Sequence, residues 1–505
     1  MSDSSIRTDR PDVVVIVLDC VRAWDFPDGA DPLPGMPFLE SLRKEAVTFP
    51  NAVAPAPWTV PSHASLFTGR YPWEHGTHGK AALTLRKDVP RLPQMLKPLG
   101  YRTVSLSANV LINPPSGLVE GFDAAAWGSL IDLFLRFGSQ TVPPHSQGMD
   151  GNDPGKKLAL AGSVLSRLPH EDVPFRSILE RNVTLPALAG YAWRGMRGLD
   201  RRDEFSLARW IEPTFEQVLE TTPSNDPLFC FINFCDAHEP YFPWPEEVGT
   251  PELLWRSLRT RQDRPGWLAQ KDGHAKWDLQ LLHRFYRASI RSIDHRIQRV
   301  VESLQRHGRW ENTLLVVTSD HGQAFGERGM MYHRFRVDES MIRIPLWVRF
   351  PRSAHANRRA EGWASLVDIV PTVLELVGHG SSDGLDGRSL ATLVDRPRQD
   401  PVLAIADGTM GERWIPSSRL AELDRVAVAV FAEGTKVTYT ESPDETHAYD
   451  ILQDPREARD VWADRGPQLG YWSGLAQETV VKLRSTPQST QAPEVLERLR
   501  AWGYL

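Results

Sequence analysis

Two apolar runs far apart in the chain constrain its fold more than any other feature. Residues 11–18 read Pro-Asp-Val-Val-Val-Ile-Val-Leu, and residues 313–318 read Thr-Leu-Leu-Val-Val-Thr. Neither alternates apolar with polar residues, so neither suits a strand with one wet face. Continuous β-branched runs of this length belong to strands covered on both sides, as in a parallel sheet sandwiched by helices. Each run stops abruptly at chemistry-bearing residues, Asp19-Cys20-Val21-Arg22 in one case and Ser319-Asp320-His321-Gly322 in the other. In open α/β sheets ligands bind beyond the carboxyl ends of the strands. Asp19, Asp320 and His321 are therefore expected to converge, although roughly 300 residues separate them. Singly, each aspartate also fits an ordinary cap or turn. Together with a hydroxyl they form a mixed oxygen and nitrogen set suited to a divalent cation.

That hydroxyl is supplied by Thr59, in Pro57-Trp58-Thr59-Val60-Pro61-Ser62-His63-Ala64-Ser65. Proline is tolerated in the first turn of a helix, and Ser62 is expected to accept an orphan backbone N–H there. Thr59 then lies at the positive end of a helix, where an anionic ester is favourably held. Read alone, the segment is first of all a plain capped helix.

Strand and helix patterns alternate along the rest of the chain in the βα order of a parallel sheet. Residues 38–47 and 92–96 read as helices, 101–106 and 228–234 as strands, and 281–304 as a long amphipathic helix. Residues 341–350 read as a strand and 366–377 as a helix. From about residue 380 short strands follow, at 401–405, 426–431 and 435–440. At 505 residues the chain has room for a large core and two structural units. A net charge of −6 gives no sign of a nucleic-acid or anionic-membrane partner. No stretch approaches the ~18 apolar residues of a membrane span, and residues 1–10 are too polar for a signal peptide. The three cysteines, Cys20, Cys230 and Cys235, form neither a disulfide nor a zinc spacing, and a cytoplasmic location is expected.

On these residues the chain resembles the sulfatase-like branch of the alkaline phosphatase superfamily. The resemblance is carried by residues 14–22, 36–47, 51–58, the Thr59 segment and Gly100-Tyr101-Arg102-Thr103-Val104. Further matches are Asp320-His321-Gly322 with Gly326-Glu327, Ile344-Pro345-Leu346, residues 367–372, and Tyr449-Asp450-Ile451 with Asp454-Pro455. It implies an α/β, alkaline-phosphatase-like sandwich: a central, mostly parallel sheet flanked by helices, plus a small C-terminal α+β unit with a short antiparallel sheet. The expected division is a catalytic domain at 11–380, carrying a helical insertion at 124–225, and a C-terminal subdomain at 381–505 ending in a helix. The insertion resembles nothing in the family; a lid over the active site and a decorating helix pair or subunit contact both fit it.

The resemblance also implies site roles. Asp19, Asp320 and His321 match metal ligands, and Thr59 matches the nucleophile that also touches the metal. His238, in Asp236-Ala237-His238-Glu239-Pro240, and His333 match catalytic groups near the leaving group and the transferred group. Asn109 and His63 match substrate-binding positions, and Arg22 lies in the same motif as Asp19. One divalent ion is expected, Mn, Zn, Mg or Ca. A second metal would need a further set such as Asp236, His238 and His333, whose Asp-x-His spacing is tighter than the usual Asp-x-x-x-His.

Two departures from the family pattern matter. Typical sulfatases carry a cysteine, matured to formylglycine, followed by x-Pro-Ser-Arg; this chain has Thr59-Val60-Pro61-Ser62-His63. No formylglycine is expected. An ordinary alcohol forms a covalent phosphoryl intermediate that water can cleave, whereas the sulfuryl ester lacks the hydrate's route of release. The chemistry favours a phosphate ester, phosphodiester or phosphonate ester over a sulfuric ester, with a soluble phosphoryl or sulfuryl transferase as a further alternative. Cys20 stands where typical sulfatases carry a second metal-binding aspartate. The expected partner is a small anionic ester, with no nucleic acid or membrane; self-association is left open.

Overall fold

The computed structural model describes residues 10–27, 29, 32–79, 83–127, 210–239, 241, 278–379, 384–408, 423, 425–441 and 444–487. Its centre is an eight-stranded sheet. Across the sheet the strands run Arg358–Arg359, Val47–Thr48, Leu346–Arg349, Thr313–Thr318, Asp12–Leu18, Leu228–Phe234, Arg102–Ser107 and Ala124–Trp127. The five strands from Thr313–Thr318 to Ala124–Trp127 are mutually parallel. Leu346–Arg349 runs antiparallel to both its neighbours.

Every residue of Asp12–Leu18 is buried, as the unbroken run requires. Successive side chains leave a strand on opposite faces, so one run serves two cores. Val14, Ile16 and Leu18 face a cluster that includes Ile290, Ile293, Ile297, Val300 and Leu304 of the long helix Leu279–Arg306. Val13, Val15 and Val17 face the other, with Val60, Ala64, Leu66 and Phe67 of the helix Thr59–Thr68. Each Ile or Leu so buried contributes about 1.5–3 kcal/mol, and these two clusters hold both helices to the sheet.

Register decides where the site lies. Val17 pairs with Thr318, Leu18 with Phe234, and Ser107 with Asn233. The residues that follow these strands, Asp19, Ser319-Asp320, Cys235 and Asn109, are thereby brought level at one end of the sheet. The Thr59 helix ends at Gly69 with φ 67°, and a Cβ there would meet the Val370 Cβ at 2.9 Å, so glycine is required on two counts.

Several sequence expectations shift. Val47 leaves its expected helix, which closes at Leu42, and joins the sheet. The run expected as one strand over 341–350 opens as a helical turn, Glu339–Ile342. It then makes Arg343–Ile344, breaks at Pro345, which has no N–H to donate, and resumes at Leu346. The helix expected over 366–377 starts as a 3-10 turn and becomes α-helical at Ile369–Leu376. Ala124–Trp127, expected within the insertion, is an edge strand of the central sheet, and Ile211–Thr221 is a helix packed in the same core as Leu279–Arg306. The remainder expected as lid or decoration (128–209) lies outside the described residues.

Beyond the central sheet, Val402–Asp407, Val426–Ala432, Thr435–Glu441 and Glu445–Tyr449 form a four-stranded antiparallel sheet. The helix Trp462–Ser485 packs on it through Ala476, Val480 and Leu483. No described helix is long and apolar enough to cross a membrane.

Candidate active site

The strand-end residues meet as the register dictates. The Cys20 backbone N–H donates to Asp320 Oδ1 at 3.2 Å, and the His321 N–H donates to the same oxygen at 2.9 Å. Asp320 Oδ2 makes no hydrogen bond, although Asp320 is completely buried. It lies 3.3 Å from His321 Nε2, which also makes no hydrogen bond, and His321 Nε2 is 4.0 Å from Asp19 Oδ1. The His321 Nδ1–H donates to the Gly322 carbonyl at 3.0 Å, which assigns the lone pair to Nε2. Burial pushes His321 down to about 4, against the pull of Asp19, so the ring is neutral and ready to ligate.

Asp19 and Asp320 respond oppositely to one environment. Burial pushes the Asp19 carboxyl up, but His238, His321 and the Asn109 hydrogen bond outweigh it and hold it below the usual range. Burial and then the Asp19 charge push Asp320 well above that range. A cation bound there would oppose both causes by favouring the charged carboxylate. The donor atoms of Asp320, His321 and Asp19, with His321 Nε2 3.3 Å from the first and 4.0 Å from the last, are of the kind that would hold a divalent ion.

Thr59 opens its helix from an extended Trp58 (φ −166°) and is almost fully buried. Its Oγ1 lies 3.5 Å from Asn109 Nδ2, and the same Nδ2 donates to Asp19 Oδ2 at 2.6 Å. Asn109 thus ties the hydroxyl to the carboxylate, while its own Oδ1 accepts the Leu111 N–H at 2.8 Å. Ser62 does not cap its helix as expected: no side-chain cap is made there, and Ser62 Oγ instead donates to the Asp320 carbonyl at 2.6 Å. The competing attraction is tertiary, because the helix start is pressed against the strand end carrying Asp320. His63 sits one turn below Thr59, its Nδ1–H donating to the Thr59 carbonyl at 2.8 Å, with its ring edge-on to Phe231. Burial pushes it down to about 4, with Thr59 and Asp19 offsetting only in part.

His238 and His333 face each other with ring centroids 5.4 Å apart, and His333 lies 4.3 Å from the His321 ring. Both expected catalytic histidines therefore border the Asp19 centre. Asp236 does not join them; its Oδ1 accepts from Arg296 Nε at 3.1 Å, in a buried cluster with Glu212. Arg22 likewise turns away, to Asp25 and Glu327. Sequence reasoning passed over three groups at the centre. Cys235 Sγ donates to Asp19 Oδ2 at 3.3 Å, Glu239 stands beside His238, and Gln323 donates from Nε2 to Glu239 Oε2 at 3.0 Å. The adjacent pair His238-Glu239 was the available signal for Glu239. Gly322 completes the fold of the site: a Cβ there would meet the Ser340 carbonyl oxygen at 2.2 Å.

The central α/β sheet thus carries a mixed carboxylate and imidazole centre at its strand ends. The family model described as Sulfatase matches residues 11–379. The chain belongs to the sulfatase family, whose members are hydrolases acting on sulfate or phosphate esters and generally use a divalent metal ion. It is 24% identical over 484 residues to the N-acetylglucosamine-6-O-sulfatase of Bacteroides thetaiotaomicron, covering 90% of this chain and 83% of that protein. It is 23% identical over 427 residues to the multifunctional alkaline phosphatase superfamily protein PehA of Trinickia caryophylli, covering 75% of this chain and 76% of that one. Among solved structures, the phosphonate monoester hydrolase SpPMH from Silicibacter pomeroyi superposes with a TM-score of 0.66 at 19% identity, covering 95% and 96% of the two chains.

Proposed function

We propose that the chain is a metal-dependent hydrolase that cleaves a phosphate ester, phosphodiester or phosphonate ester through a covalent Thr59 intermediate. One observation carries the reading: a threonine hydroxyl, which cannot mature to formylglycine by the usual route, adjoins the buried set of Asp19, Asp320 and His321 through Asn109. A divalent cation bound by that set supplies Lewis acidity at the ester and favours the alkoxide form of the alcohol. The start of the Thr59 helix adds backbone N–H groups and a positive dipole end toward the anionic group. Thr59 Oγ attacks phosphorus in line; the Oγ–P bond forms as the bond to the leaving oxygen breaks. His238 and His333 border the same centre and meet the charge that develops there. Water then attacks the phosphothreonine, the P–Oγ bond breaks, and the hydroxyl is restored.

The sulfuric-ester reading is favoured by the names of the curated relatives, which are mostly sulfatases. The phosphorus reading is favoured by the threonine at position 59. A panel of aryl phosphate, phosphodiester, phosphonate and sulfate esters, each assayed with Mn²⁺, Zn²⁺, Mg²⁺ and Ca²⁺, separates them. Turnover of phosphorus esters that vanishes in a folded Thr59→Ala protein is the expected result. Sulfate-only turnover, or a fully active Thr59→Ala, overturns it. Three free thiols support a cytoplasmic setting.

A further inference from the structure

Cys20 has φ 66°, a left-handed conformation that a residue with a Cβ adopts only at a cost of about 1–2 kcal/mol. In a regular strand, Asp19 and Cys20 would point to opposite faces. The turn at Cys20 instead brings its Sγ to 3.2 Å from Asp19 Oδ1, so successive side chains serve one pocket. On its other side Cys20 Sγ lies 3.6 Å from His333 Nδ1. Cys20, His238, Glu239 and His333 each offer one donor atom, and the four atoms lie within 4.8 Å of one another.

We propose that these four residues form a second metal site, adjoining the Asp19 centre and selective for Zn²⁺ or a similarly thiophilic ion. One sulfur, two imidazole nitrogens and one carboxylate oxygen match zinc's ligand preferences and suit neither calcium nor magnesium. Bonds of about 2.0–2.3 Å put tetrahedral ligands ~3.5 Å apart; the four donor atoms, within 4.8 Å of one another, contract onto the ion.

The surrounding hydrogen bonds orient the donors as metal ligands are usually oriented. The His238 Nδ1–H donates to the Glu239 carbonyl at 2.7 Å, and the His333 Nδ1–H donates to Gln323 Oε1 at 2.6 Å, so both lone pairs fall on Nε2. Gln323 Nε2 in turn donates to Glu239 Oε2 and to the Tyr241 hydroxyl, so one amide braces two of the four ligands. The site stands on these donors whatever ester is cleaved. Its consequence for catalysis rests on the Thr59 reading: His238 and His333 would meet the leaving oxygen's charge by holding a cation and not by giving up protons.

The full-length protein is stripped with a chelator, reloaded with Co²⁺ and desalted; cobalt per chain and the near-ultraviolet spectrum are then measured. Two cobalt ions per chain are expected, with a thiolate-to-cobalt charge-transfer band. His238→Asn and Glu239→Gln should each reduce the count to one and abolish the band, while Asp320→Asn loses one ion and keeps the band. The isosteric Glu239→Gln serves if His238→Asn does not fold. A count of one in both wild type and Glu239→Gln overturns the second site and leaves the Asp19 centre standing. A band that survives both substitutions returns Cys20 to the Asp19 centre and also overturns the proposal. A single ion that Asp320→Asn retains and Glu239→Gln loses removes the Asp19 centre instead, and with it the catalytic reading.

Discussion

Replacing Asn109 by alanine tests how the site is held together without touching a metal ligand or the nucleophile. The 2.6 Å bond from its Nδ2 to Asp19 Oδ2 is a hydrogen bond to a charged group in a fully buried setting. Such bonds are worth about 1.5–3 kcal/mol. At 1.4 kcal/mol per tenfold, that is roughly a 10- to 150-fold weakening if the whole term is lost from cation binding. The range agrees with the ~10- to 100-fold that loss of a ligand's supporting partner typically costs. The same substitution removes one of the influences that hold the Asp19 carboxyl low, so the acid limit of cation binding should move to higher pH. Calorimetric titration of the chelator-stripped protein, wild type against Asn109→Ala at several pH values, reads both effects. Thermal melting of the two cation-free proteins supplies the stability control. Unchanged cation affinity in a folded Asn109→Ala would refute the reasoning, because Asp19 would then need no support to act as a ligand.

Two further substitutions test the framework around the site. Asp25 is held down to about 2: burial raises its pKa, but Arg22 and His283 outweigh it. Its stabilising contribution is therefore present above the ordinary carboxylate range and lost as pH falls through about 2. Asp25→Asn should cost about 2 kcal/mol at pH 7 and nothing below pH ~2, read by urea denaturation across pH; a cost independent of pH contradicts the linkage. Lys436 is fully buried and bonds Glu457 Oε1 at 2.7 Å and Glu339 Oε1 at 3.2 Å, while Glu339 also pairs with Arg343 at 2.8 Å. Lys436→Met should destabilise by about 3–5 kcal/mol, since two buried carboxylates keep their desolvation cost and lose a counter-charge; a shift below about 1 kcal/mol in denaturant unfolding would show the network to be dispensable.

The residue pattern alone was enough to define the central strands and what stands at their ends. An uninterrupted apolar run such as 13–18 has no polar face to expose, so only a position inside a covered sheet satisfies it, and the aspartate after it must emerge where the strand stops. The 3.6-residue apolar spacing of the long helix was legible for a similar reason, its buried face being written in one continuous segment. Local patterns failed where a distant partner competed. Ser62 had the right chemistry to cap its own helix, yet the Asp320 carbonyl, 258 positions away in sequence, takes its hydroxyl. Asp236 had the right residue type to be weighed as a ligand, though its spacing to His238 is tight; Arg296 claims it, and Glu239 stands with His238 and His333 instead. The left-handed turn at Cys20 has no local signature, because it is enforced by contacts such as the Cys20 N–H bond to Asp320, 300 residues along the chain. Periodicity encodes which faces are buried; which polar group answers which is decided only when the register of neighbouring strands sets their ends side by side.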